Sequence, residues 1–370
     1  MRDLQFTGWL FQQKKGGIFW WVINILVLIL ICVLELFLLI LMSYKSEKDK
    51  ALQNISQSMK RLVAITIFGV VALNLLAQQD PKFTQNMFMA PFYNPGAVGS
   101  SDRICLGAAF RNQWTGLPDA PVTTTFSANM PFNLFGRRHG VGLNLMNDNL
   151  AFNNDFQFSL AYAFRIELGV GGLGIGVNAG LANQSLTPSW EEVGEINPSG
   201  DPAIPQSGGS VFGFDMGLGV FYNTENLYVG ISTTHLNQTS FDYPEDIAET
   251  KLIRHYYLMA GYNIQLANPM FEILPSLMVQ SDARSNHLYL NTNLRYNKRF
   301  WGGVSYSVGG ALSALIGIEL LNGIQIGYSY DFELSPLLKY NSGSHEITVR
   351  YCFDLSVDRS PQQYKSIRFL

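Results

Sequence analysis

Charge is what this chain has least of. Asp, Glu, Lys and Arg make up 14% of its 370 residues, against about 25% in an ordinary soluble domain, which leaves too few charges to coat a water-facing surface. Basic excess is also missing. The net charge is −3, and from Gln78 onward 17 Lys and Arg face 24 Asp and Glu, a balance of −7. Nothing in that balance favours nucleic acid. A mean hydropathy of only +0.09 beside 34 glycines and 17 tyrosines argues against a bundle of membrane helices, whose spans push the average far higher.

Cysteine is scarce too, with Cys32, Cys105 and Cys352 alone. A Cys105–Cys352 disulfide is open in an oxidising compartment, but two cysteines this far apart in sequence read more readily as independent small apolar fillers. The chemistry of enzymes is equally thin. His139, His235, His255, His287 and His345 are scattered, with no nucleophile-serine motif and no metal-ligand pair at helical spacing. His345-Glu346 lacks the second histidine of a zinc protease helix. Gly169-Val170-Gly171-Gly172-Leu173-Gly174 matches the dinucleotide fingerprint in form, yet that motif needs a strand feeding a helix. Here glycine continues through Gly176 into an alternating run, so the segment reads as a turn and then a strand with small inward residues. No catalytic residue, metal or cofactor is expected.

What is present is alternation with a period of two. Phe212, Phe214, Met216, Leu218 and Val220 share one face while Gly213, Asp215, Gly217 and Gly219 share the other. The same pattern recurs at 288–297, 324–331 and 347–354. About fourteen such segments fit between Gln78 and Phe353, with aromatics such as Tyr296, Phe300, Trp301 and Phe332 near their ends. The class expected is therefore all-β: an antiparallel transmembrane barrel of the outer membrane, its oily face toward lipid and Asp215, Arg295, Asp331 and Arg350 toward the lumen. Connection lengths add support. Tight turns at 223–225, 265–269, 297–299 and Asn322-Gly323 take one parity, and long connections at 187–209, 237–251 and 333–343 take the other, as expected when loops on one side of a membrane are short. Two segments resist. Residues 251–262 have no clear facing pattern, and Pro275 interrupts 271–280, where a bulge or kink is expected.

Two export signals compete at the amino terminus. Residues 18–42 are apolar apart from Asn24 and Glu35 and are long enough to cross a bilayer. Met59-Lys60-Arg61, Leu62–Leu73 and a cleavage edge at Leu75-Leu76-Ala77 form a complete signal peptide at 59–77. An uncleaved apolar helix would hold the chain in the inner membrane. Residues 1–58 are therefore read as a misassigned upstream extension, with 78–370 as the barrel.

Several matches occur in a fixed order. Asp80-Pro81-Lys82-Phe83-Thr84-Gln85, Asn94-Pro95-Gly96-Ala97-Val98-Gly99-Ser100 and Arg111-Asn112-Gln113-Trp114 are followed by Leu274-Pro275-Ser276, Trp301-Gly302-Gly303, Gly327-Tyr328-Ser329-Tyr330-Asp331 and Gly343-Ser344-His345-Glu346. The set resembles the PorP/SprF family of type IX secretion system outer-membrane proteins over essentially all of 78–370. Gly96 stands where that family more often has alanine, and 1–58 have no counterpart. The resemblance implies a non-enzymatic component of the machinery that exports or displays proteins with a sorting domain, such as adhesins at the cell surface, in some members with gliding motility. Its partners would be secretion subunits, cargo and outer-membrane lipid. The alternative is a channel or transporter for small solutes. Asn94, Pro95, Arg111, Asn112, Gln113, Trp114, Tyr330, Asp331, His345 and Glu346 are the family-motif or partner-contact candidates. Asn94-Pro95 is expected to turn a periplasmic lead segment into the first strand. Arg111, Gln113 and Trp114 are expected to end the first strand at the outer rim or folded back into the lumen.

Overall fold

The computed structural model describes residues 80–187, 208–242, 249–320 and 323–354. The apolar segment 18–42, the signal-like segment 59–77 and the tail after Asp354 lie outside them. Among the described residues no helix is long and apolar enough to cross a membrane.

Strands dominate. They are β1 (Ile104–Asn112), β2 (Val122–Leu134), β3 (Arg137–Leu150), β4 (Asn153–Leu168), β5 (Gly171–Leu186), β6 (Gly209–Asn223), β7 (Leu227–Thr234), β8 (Ser240–Asp242), β9 (Glu249–Lys251), β10 (His255–Tyr262), β11 (Ile264–Gln265), β12 (Phe271–Ser281), β13 (Asn286–Tyr296), β14 (Phe300–Ser307), β15 (Ala311–Glu319), β16 (Ile324–Glu333) and β17 (Ser344–Phe353). Strands β8 and β9 form a separate ribbon, and β11 is a two-residue extension beside β12. The other fourteen run antiparallel in one sheet, closed by β1 on β17 and β10 on β12. Closure leaves no unpaired edge for lipid to desolvate.

The alternation read from sequence is the alternation of the wall. In β6, Phe212, Phe214, Met216, Leu218 and Val220 are exposed on the outside, while Gly213, Gly217, Gly219 and Phe221 are buried inside. Leu290 and Leu294 of β13, Ile316 of β15 and Ile347 and Val349 of β17 continue the outward apolar band. On the inner face, Asn291, Asn293, Ser313, Ser329, Asp331 and Glu346 are buried. This is apolar-out and polar-in, the pattern of a membrane barrel.

The strand ends joined across 135–136, 169–170, 224–226, 263–270, 297–299 and 320–323 lie at one end of the barrel, and those joined across 113–121, 187–208, 235–254 and 334–343 lie at the other. We call these the short-turn and long-loop ends. Length is a bias and not a rule, because 151–152, 282–285 and 308–310 also fall at the long-loop end. Asn297 and Lys298 both have positive φ (49° and 55°), with Arg299 N–H donating to Tyr296 O. That is a type I′ turn, whose twist matches the strands it joins.

Three sequence expectations change. Cys105 and Cys352 are not independent fillers. They are direct partners in the β1–β17 register, with Cα atoms 4.1 Å apart, and are joined as a disulfide. Their separation of 247 residues hid the pairing because only barrel closure brings the first strand against the last.

Pro275 causes no bulge. The β12 register against β13 runs through it unbroken, with Pro275 opposite Thr292. On its other side β12 is bonded to β11 through Glu272–Ile273 and to β10 from Ser276, so the proline sits where that ladder lapses and its missing N–H costs nothing.

Residues 251–262 looked ambiguous because β10 is apolar on both faces. Leu258 and Tyr262 face outward, whereas Tyr257 and Met259 are buried in a core cluster inside the barrel.

Candidate functional site

That internal core exists because residues 80–103 fold into the lumen ahead of β1. The segment starts at the long-loop end, where Asp80 meets His235 just after β7 and His255 at the start of β10. It then descends through a 3-10 turn at Asn86–Phe88, one helical turn at Ala90–Tyr93 and a second 3-10 turn at Pro95–Ala97. By Gly99 it lies against Gly140 near the short-turn end, and it enters β1 from there. Phe83, Tyr93 and Ala97 are buried with Phe221, Tyr257, Met259, Met278 and Tyr289 of the wall, with Met89 and Phe92 packed alongside. The segment is thus a plug with its own apolar core.

Three polar anchors hold it. In the first, Arg111 of β1 bonds Asp331 of β16 at 2.6 Å and Glu346 of β17 at 3.0 Å. The plug completes this cluster: Thr84 Oγ1 accepts from Arg111 and donates to Asp331, while Thr84 N–H and Gln85 N–H donate to the two oxygens of Glu346 at 2.8 and 2.9 Å. Arg111, Asp331 and Glu346 are 7%, 2% and 0% exposed. Charges so deep are tolerable only when paired and hydrogen-bonded, as these are.

The second anchor is Asp80. It lies 2.9 Å from His235 Nε2 and 3.4 Å from His255 Nδ1, and accepts a hydrogen bond from Tyr257 at 2.5 Å. Burial pushes its carboxyl pKa up, but His255 and His235 outweigh that and hold it well below the usual carboxylate range. Burial likewise opposes protonation of His235, yet Asp80 and Asp215 raise it to about 10. Nearby, burial and the Arg111 charge lower Lys82 to about 8.

The third anchor is Asn94, fully buried. Its Oδ1 accepts from Gly96 N–H and its Nδ2 donates to Val220 O and Ile231 O. Glycines on the wall make this approach possible. A Cβ on Gly219 would stand 2.1 Å from Asn94 Oδ1, on Gly176 2.3 Å from the Pro95 carbonyl carbon, and on Gly140 2.2 Å from Val98 O. The small inward residues after the fingerprint-like glycines are the bed on which the plug lies.

The structure brings some candidate residues together and separates others. Arg111, Asp331 and Glu346 meet in one cluster. Asn94-Pro95 does not turn a lead segment outside the barrel; it lies within the lumen, because the chain before β1 passes through the barrel. Asn112 ends β1 opposite His345 and Val122. Gln113 N–H donates to Pro121 O. Trp114 is at the long-loop rim with φ 52°, an uncommon backbone for a bulky residue, and its Nε1 donates to Glu333 at 3.1 Å. Lys82, Arg111, Gln113, Trp114, Tyr289 and Glu333 line a pocket of about 260 Å³ there. Tyr330 and His345 point outward. The Tyr328 hydroxyl lies 2.7 Å from His345 Nδ1, and Tyr330 meets His345 edge to face. Of the lumen candidates, Asp215 lies beside His235, Arg295 pairs with Glu272, and Arg350 reaches Cys105 Sγ at 3.9 Å.

Sequence reasoning missed Asp80, Thr84, His235, His255 and Tyr257 as site residues. Asp80 and His235 are 155 positions apart, so no local spacing could join them. The one available hint was that His235 and His255 bracket the same long connection.

A family profile described as type IX secretion system membrane protein PorP/SprF matches residues 75–351. No match was found among curated proteins. Solved outer-membrane proteins are among the structures this chain aligns with. Acinetobacter baumannii Omp33 aligns at 7% identity and TM-score 0.42 over 69% of this chain and 100% of its own. The Ralstonia pickettii toluene transporter TbuX aligns at 12% identity and TM-score 0.40 over 72% and 93%. The translocator domain of the Neisseria meningitidis autotransporter NalP aligns at 14% identity and TM-score 0.39 over 68% and 88%.

Proposed function

We propose, since the chain belongs to the PorP/SprF family of type IX secretion system membrane proteins, that it acts as a closed docking subunit of that machinery in the outer membrane. In this role it supports export or surface presentation of sorting-domain proteins such as adhesins, and contributes to gliding where cells glide. The observation that carries the reading is the plug. A lumen crossed by a folded segment with buried anchors at both ends suits a protein that holds others at its rim better than a conduit for small solutes. The reading is non-enzymatic, with the buried charges of the two clusters engaged in holding the plug.

The long-loop end faces the cell exterior in this reading, in keeping with the usual asymmetry of outer-membrane barrels. Its rim is built for contact. Thr115 N–H donates to Gly343 O and Ser342 N–H to Thr115 O, which zips connection 113–121 to 334–343. Leu338 and Tyr340 on that zipped unit are 57% and 69% exposed, an apolar display beyond the strands. Purified protein is expected to be electrically silent in planar bilayers and to bring secretion subunits with it from mildly solubilised outer membranes. Leu338→Asp with Tyr340→Asp should abolish that copurification and leave both the silence and the heat-dependent gel migration of a folded barrel unchanged. Undiminished copurification would reject the rim as the docking face, and a steady open pore in the unaltered protein would restore the solute-channel reading.

We also propose processing before Gln78, a reading that the place of Asp80 at the long-loop mouth supports. We therefore expect intact mass of the membrane-extracted protein to correspond to a chain beginning near Gln78. A mass that includes residues 18–42 would overturn cleavage.

A further inference from the structure

We propose that Asp80, His235 and His255 form a binding site for a divalent transition-metal ion of the zinc class, which ties the leading residue of the plug to the barrel wall. One ligand atom from each of the three lies within 4.8 Å of the others; the two histidines are buried and the Asp80 side chain is 12% exposed. They converge from three places: the head of the plug, the end of β7 and the start of β10. The nearest approaches are 2.9 Å between His235 Nε2 and Asp80 Oδ1 and 3.4 Å between His255 Nδ1 and Asp80 Oδ2. Donors bound to one tetrahedral ion at about 2.0–2.1 Å stand roughly 3.3 Å apart, so small adjustments close the site. Two imidazoles and a carboxylate are the donor set that suits zinc and its neighbours in the first transition row.

The surroundings match a metal centre as well. Tyr257 donates to Asp80. On the far side of His235, Nδ1 lies 3.0 Å from Asp215 Oδ1. Supporting groups of this kind orient the ring and the carboxylate at metal sites. A cavity of about 50 Å³ bordered by Asp80, Asp215, His235 and Tyr257 leaves room for a water as the remaining ligand. Two carboxylates, two neutral imidazoles and a dication also sum to zero charge, which suits a buried pocket.

This site is independent of the secretion reading and is tested without it. Barrel purified from outer membranes in mild detergent is stripped with a chelator and then titrated with zinc chloride or cobalt chloride. One zinc per chain is expected after gel filtration, as is the intense visible absorption of four-coordinate cobalt. Asp215→Asn should lower zinc affinity by roughly 10–100-fold, and His235→Ala with His255→Ala should abolish stoichiometric binding, each variant being checked for a folded barrel by gel migration. Full zinc affinity in the folded double variant, or a stripped native protein that takes up neither metal, would overturn the proposal. The second outcome requires no variant to fold.

Discussion

Arg111→Ala will unseat the plug and turn a silent barrel into a conducting one. Among the described residues Arg111 is the cation that bonds both Asp331 and Glu346, at 2.6 and 3.0 Å. Removing it leaves two carboxylates buried side by side, and breaking a buried pair from one side costs about 3–5 kcal/mol. That cost falls on the plug more than on the wall. The wall strands keep their ladders and outward apolar band, whereas Thr84 and Gln85 depend on Glu346 and Asp331 being held in place. The lowest-energy response is for residues 80–85 to leave and let water reach the carboxylates. Single-molecule current in planar bilayers should appear, together with rapid proteolysis inside residues 80–103, while heat-dependent migration stays that of a closed barrel. Restoring apolarity throughout, with Arg111→Met, Asp331→Leu and Glu346→Leu, should recover only part of the closure, because the Thr84 and Gln85 amides would lose their acceptors. A silent, protease-resistant Arg111→Ala barrel would mean that this cluster does not hold the plug.

The wall was legible in the sequence because lipid and lumen impose opposite demands on alternate residues, and β6 or β13 records both in its letters. The plug was not. Residues 80–103 have no period, since a segment packed on all sides needs neither a helix stripe nor strand alternation. Its presence was recorded indirectly, in features of the wall that looked like faults. Tyr257 and Met259 made β10 seem to face nowhere because its inner face meets aromatics of the plug. Gly174, the last residue of a misleading nucleotide fingerprint, and Gly176 just beyond it are small because Gly96 and Pro95 press on them. The clusters at Asp80 and Arg111 gather residues more than 150 positions apart, a distance that the path of the plug removes for the first and barrel closure for the second.

Those glycines carry the second large effect. Gly176→Val is expected to expel the plug as thoroughly as loss of Arg111, although valine is a better strand residue than glycine and should help the wall. A Cβ at Gly176 would lie 2.3 Å from the carbonyl carbon of Pro95 and 2.5 Å from Gly96 N. These are backbone atoms, so no flexible side chain can yield, and overpacking of this kind costs about 1–3 kcal/mol or more. The matched control is Gly107→Val on the inner face of β1, where an added Cβ meets nothing within 4 Å. Current and protease access should rise in the first variant and stay at the native level in the second. Two silent variants would show that the plug does not rest on this glycine bed. Two leaky ones would assign the glycines to the strands themselves, because only contact with Pro95 and Gly96 distinguishes one position from the other.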